Sequence, residues 1–130
     1  MDKKKIDWAN IGFGYVQTDV RYVANFKDGA WYEGELTRDA NITMNECACV
    51  LQYAQTVFEG MKAYTTAGGQ TVCFRPDLNA QRMMDSCRRM RMPVFPKERF
   101  LDAIRQTVKA NIAWVPPYGS GASLYLRPYM

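Results

Sequence analysis

Between Val57 and Thr65 apolar and polar residues alternate, with β-branched and aromatic side chains among them. That two-residue period predicts a strand. Gly68-Gly69 reads as a turn and Gln70–Phe74 as the partner strand. Upstream, Val20–Lys27 and Ala30–Leu36 flank Asp28-Gly29. An Asp-Gly pair favours a tight hairpin because both residues tolerate positive φ. Two stretches change to helical spacing. Pro76-Asp77 opens the first, with Leu78, Met83, Met84, Cys87 and Met90 as its apolar stripe and Pro93 as its stop. Pro96 starts the second, with Phe100, Leu101, Ile104, Val108 and Ile112 on one face. Both stripes read as core. A shorter helix is expected over Glu46–Tyr53, capped by Thr43 or Asn45. Residues 1–19 read as irregular, Pro116–Gly121 as a loop and Ser123–Arg127 as a last strand. Together these elements predict an α+β fold: a mainly antiparallel sheet of hairpins with two principal helices on one face, a two-layer sandwich.

The length of 130 residues fits one domain. Composition narrows the class. The chain is 48% apolar, which suits a globular core and excludes a disordered segment. The net charge of +4 is spread out, and the runs Lys3–Lys5 and Arg88–Arg91 read as solvated faces. Nucleic acid is therefore not the expected partner. No apolar run approaches the roughly 18 residues of a membrane span, and no apolar segment follows the N-terminal lysines as in a secretory signal. Cys47, Cys49, Cys73 and Cys87 lack metal-site spacing and the chain has no histidine, so they read as small buried thiols of a reducing cytoplasm. No metal is expected.

Candidate chemistry rests on arginines and aromatics. Arg82 lies in the first long helix, where a guanidinium can offer a fork of donors to phosphate or carboxylate. Arg75 reads as a surface residue. Tyr125 and Arg127 stand two apart on the last strand and so share a face. From the residues alone they form either a carboxylate seat or an ordinary rim pair. Tyr53, Phe58 and Phe13 either line an apolar pocket or belong to the core. Lys62 faces a cleft or solvent. No nucleophile, acid and base compose a catalytic set within these residues.

Several longer motifs then stand in order: Tyr53-x4-Phe58-Glu59-Gly60-Met61-Lys62-Ala63-Tyr64, Phe74-Arg75-Pro76 with Asn79-Ala80-x-Arg82, and Trp114-Val115-Pro116-Pro117-Tyr118-Gly119 with Leu124-Tyr125-Leu126-Arg127-Pro128. From about Phe13 to Met130 the chain resembles the branched-chain amino acid aminotransferases, which are fold type IV pyridoxal phosphate enzymes. The resemblance implies that residues 1–130 are the N-terminal small domain of a two-domain enzyme. It implies that Arg82 binds the cofactor phosphate. It places Phe13, Tyr53 and Phe58 in the branched side-chain pocket, and Tyr125 and Arg127 beside the substrate, where they help one site accept an apolar chain and a second carboxylate. The family's cofactor-bearing lysine lies in the larger domain, beyond residue 130. The chain alone is thus expected to be inactive, and the parent to be a cytoplasmic homodimer acting on leucine, isoleucine, valine and 2-oxo acids. Gln52 departs from the histidine that often precedes the tyrosine. The alternatives are a D-amino-acid aminotransferase, an aminodeoxychorismate lyase, or a non-catalytic binding or dimerisation module.

Overall fold

The computed structural model describes residues 2–130. At its centre β5 (Met61–Thr65) pairs antiparallel with β6 (Thr71–Cys73) on one side and β7 (Leu124–Leu126) on the other. From Val57 to Tyr64 burial alternates residue by residue, with Val57, Glu59, Met61 and Ala63 inside. This is the pleat of a sheet with one covered and one open face. The covered face meets α2 (Pro76–Arg89) and α3 (Lys97–Ala110). Met83 and Cys87 from α2, and Phe100, Ile104 and Val108 from α3, join Val57, Met61, Ala63 and Leu126 in one core cluster. The expected α+β arrangement, with two principal helices on one face, is the one observed.

The β5 region is expected to run from Val57, yet its regular ladder starts at Met61. Val57 and Met130 still exchange two backbone hydrogen bonds, of 3.0 and 2.9 Å, and Phe58 stands opposite Tyr129. Glu59 N–H donates to the Pro128 carbonyl at 2.8 Å. Proline has no N–H to return, so the ladder breaks there without losing register.

The first hairpin is split in two. β2 (Phe26–Lys27) and β3 (Ala30–Trp31) close around Asp28-Gly29, both at positive φ, as the sequence predicts. β1 (Arg21–Val23) then pairs with β4 (Glu35–Thr37), shifted by one residue. The extra residue of the return strand is a bulge, which bends the ribbon. Gly34 lies in that segment, where a Cβ would sit 2.2 Å from Tyr22 Cζ. The ribbon is pinned by Trp31, whose indole N–H donates to the Val94 carbonyl at 2.9 Å and whose ring meets Phe95 edge-on at 4.8 Å.

Several local expectations are corrected. The short helix α1 is only Cys49–Tyr53 and its N-cap is Ala48. Neither Thr43 nor Asn45 caps it; the Asn45 side chain instead accepts from Cys47 N–H at 2.8 Å, an Asx turn. α2 ends before Pro93. Met92 N–H reaches the Cys87 carbonyl and Arg91 N–H the Arg88 carbonyl, with Arg91 at φ 56°. That double closure is a Schellman motif, built here without glycine. Leu78 and Met90 are exposed rather than core, and Cys47 and Cys49 are exposed thiols. Among the described residues all four cysteines are free, and no helix is long and apolar enough to cross a membrane.

Asn111, at the end of α3, is almost completely buried. Its amide donates to the carbonyls of Val20 (2.9 Å) and Thr107 (2.8 Å), and its oxygen accepts from Val20 N–H at 3.2 Å. One side chain thus satisfies both backbone groups of the residue leading into β1. Asn111→Ala strands these groups and is expected to cost about 2 kcal/mol of stability. Urea unfolding of the two proteins measures it; a difference below about 0.5 kcal/mol means water replaces the amide.

Between β1 and β7 lies an apolar cleft of about 560 Å³. Tyr22, Met83, Phe100, Ile104, Leu124 and Leu126 are among its walls.

Candidate functional site

The open face of the central sheet gathers polar and aromatic groups by alternation alone. Lys62 stands directly opposite Tyr125 in the β5–β7 register, and Arg127 follows two residues on. Arg127 donates through Nε and Nη2 to Tyr125 Oη, at 3.1 and 2.9 Å. Its guanidinium also lies 4.3 Å from the centroid of the Phe58 ring, within cation–π range. The phenol reaches this place because Gly60 has no side chain: a Cβ there would sit 2.4 Å from Tyr125 Oη. With Nε and one Nη2 hydrogen engaged, the remaining donors of Arg127 and the phenol hydrogen are left for a ligand.

Arg82 comes from the opposite layer. It projects from α2 and donates through Nε and Nη2 to the two carboxylate oxygens of Glu59, at 3.1 and 2.7 Å. The Asn79 amide donates to the same carboxylate at 2.7 Å. Asn79 and Arg82 are three apart on the helix, hence on one face. Glu59 occupies an inward position of the alternating strand, its side chain 8% exposed, whereas that of Arg82 is 61% exposed. A carboxylate buried there without such partners would be strongly destabilising. Hydrogen bonding to Glu59 raises the Arg82 pKa further above its ordinary value, so the group remains a cation.

A groove of about 350 Å³ runs between Arg82 and Tyr125, bordered also by Gly60, Lys62, Phe74 and Asn79, whereas Arg127 lines the apolar cleft instead. The charged donors of the groove suit a small anion, and its aromatic rims suit an apolar body. Arg75 also borders it but is turned to its own helix. Arg75 donates two hydrogen bonds of 2.9 Å to Asp77, and this pairing pulls the Asp77 carboxyl down to about 2. That agrees with the structural reading of Arg75.

Of the residues singled out from the sequence, Arg127 touches both Tyr125 and Phe58, and Arg82 shares the groove with Tyr125. Phe13 is fully exposed in the segment before β1, and Tyr53 is exposed at the end of α1. Neither borders the groove or the apolar cleft. In the sequence Glu59 and Asn79 stand out only as letters of motifs. A signal for them was present: a charged residue at a core position of an alternating strand needs a partner.

No protein-family model matches the chain. Over 127 residues it is 48% identical to a branched-chain-amino-acid aminotransferase of Haemophilus influenzae, covering 98% of this chain and 37% of that protein. It is 46% identical to the enzyme of the same name from Helicobacter pylori, with the same coverage. A methionine aminotransferase of Arabidopsis thaliana is 40% identical over 126 residues, 96% of this chain and 35% of that protein. The chain therefore spans about a third of the length of these curated relatives. Near-complete coverage at this identity, together with the motifs on β5, α2 and β7, means that the chain belongs to the branched-chain amino acid aminotransferase family.

Proposed function

We propose that the chain is the N-terminal small domain of a pyridoxal phosphate-dependent aminotransferase that moves the amino group of leucine, isoleucine or valine to 2-oxoglutarate. The observation that carries this reading is the guanidinium of Arg82, braced from behind and open toward the groove that also holds Tyr125. That outer edge fits a phosphate, which takes paired N–H donors. When bound, pyridoxal phosphate supplies the electron sink that makes the amino group transferable.

This chain's own residues bind and orient. Arg82 holds the phosphate. Phe58, with Tyr53 and Phe13, forms the wall against the branched side chain; the exposure of Phe13 and Tyr53 here suits aromatics that a further domain or subunit covers. Tyr125 and Arg127 take the second carboxylate of glutamate and leave the same space to an apolar chain. The lysine that carries the cofactor belongs to a following, larger domain, so these residues hold no complete catalytic set and are inactive alone. The whole enzyme is a cytoplasmic homodimer.

The test uses the full-length protein. Loaded with pyridoxal phosphate, it should lose its yellow absorbance when isoleucine is added and regain it with 2-oxoglutarate. Absence of the band, or no response to amino acids, would favour a binding or dimerisation module. The methionine aminotransferase among the relatives favours one second reading, a donor with a longer linear side chain. A panel of donors that includes methionine separates the two.

A further inference from the structure

We propose that Glu59 is a positioning residue that sets the enzyme's preference for a phosphate-bearing cofactor, acting through Arg82 and braced by Asn79. The proposal rests on the reading of Arg82 as the phosphate-binding arginine. Glu59 touches no ligand on this view. Its work is to choose which edge of the guanidinium is offered.

The geometry carries it. Arg82 uses its inner edge, Nε and Nη2, against Glu59 at 3.1 and 2.7 Å. Among the described residues Nη1 has no hydrogen-bond acceptor, and the side chain is largely exposed. A free, exposed arginine samples many rotamers and must surrender them on binding. A guanidinium gripped on one edge has already surrendered them, so its outer edge is preorganised. The grip is firm because Glu59 is itself fixed. Its carboxylate is buried between sheet and helix, and Oε2 accepts from both Asn79, at 2.7 Å, and Arg82. Asn79 in turn donates to the Gly60 carbonyl at 3.2 Å, tying the brace to the strand that carries Glu59.

A carboxylate behind a phosphate site also repels the incoming anion. Two features weaken that repulsion. The guanidinium stands between the two anions, and the groove is open to water, which screens. Orientation therefore outweighs charge, and the sign of the mutant effect decides between them.

Glu59→Gln keeps the shape, removes the charge and replaces one acceptor by an amide that cannot accept from Arg82. In the full-length protein its dissociation constant for pyridoxal phosphate is expected to rise about tenfold, the scale of one charged hydrogen bond. Its constant for pyridoxal, which lacks the phosphate, should stay within about twofold. Asn79→Ala leaves the carboxylate in place and should show a smaller loss of the same kind, so the test survives if Glu59→Gln folds poorly. Both are repeated in an Arg82→Ala background, where the effect on the phosphate preference should vanish. A purely structural role would weaken both ligands alike and persist in that background.

Unchanged or tighter pyridoxal phosphate binding in Glu59→Gln and Asn79→Ala, with the preference lost in Arg82→Ala, overturns the proposal and leaves the phosphate role of Arg82 standing. If Arg82→Ala itself keeps the full preference for the phosphate form, the reading of Arg82 fails and the proposal falls with it.

Discussion

Arg82→Ala in the full-length protein is expected to raise the apparent dissociation constant for pyridoxal phosphate about ten- to hundredfold, the loss of one charge-assisted hydrogen-bonded contact. The lower end is favoured by the exposure of the side chain, because water competes for an open cation. The substitution also removes two of the three side-chain donors to the Glu59 carboxylate and leaves that group with Asn79 alone. Thermal stability should therefore fall as well, and cofactor retention has to be compared well below the mutant's melting point. Equilibrium dialysis against graded pyridoxal phosphate measures the effect. Retention equal to that of the unmutated protein would sink the phosphate role. Arg82→Lys offers a useful contrast. A lysine keeps the charge but lacks the planar fork, so it loses the paired grip on Glu59 that fixes the direction of the donors.

Arg127→Ala is expected to hurt glutamate more than leucine as amino donor, with the ratio of their kcat/KM values shifting about tenfold or more. The reason lies in how the fork is divided. Nε and Nη2 are committed to Tyr125 Oη, which orients the group, and the remaining hydrogens are left for a ligand. A carboxylate there would be met by donors that an apolar side chain does not need. Leucine loses only packing against the guanidinium and its neighbour Phe58. Steady-state kinetics with both donors check the prediction. Equal losses would mean that Arg127 shapes the wall without reading the second carboxylate, and the dual-substrate role would be withdrawn.

Arg82 and Tyr125 reach one groove from different layers, and Arg127 is tied to it through Tyr125. Much of the scaffold beneath them is legible in the chain. The alternation from Val57 to Tyr64 specifies which side of β5 is wet, and it puts Tyr125 and Arg127 on a shared face of β7. Asp28-Gly29 dictates its turn because both residues accept positive φ. Phe100, Ile104 and Val108 announce the buried stripe of α3 by spacing alone. Even Glu59 leaves a trace, as a carboxylate where the pleat demands a core residue.

The remainder was settled only when distant segments met. The bulge that splits the first hairpin follows Trp31, which docks against Val94 and Phe95, more than sixty residues away. The broken ladder at Glu59 reflects Pro128, a missing donor contributed by another strand. Leu78 lies about 140° around the helix from Met83, off the face that buries Asn79, Met83 and Cys87, and so it faces solvent. Arg82, read from its own helix, is one surface arginine among several. It becomes a directed fork when Glu59, 23 residues earlier, takes its inner edge. Periodicity, turn chemistry and capping act between neighbours in the chain and can be read there. Register, burial and the direction of a charged side chain depend on partners that only the packed structure supplies.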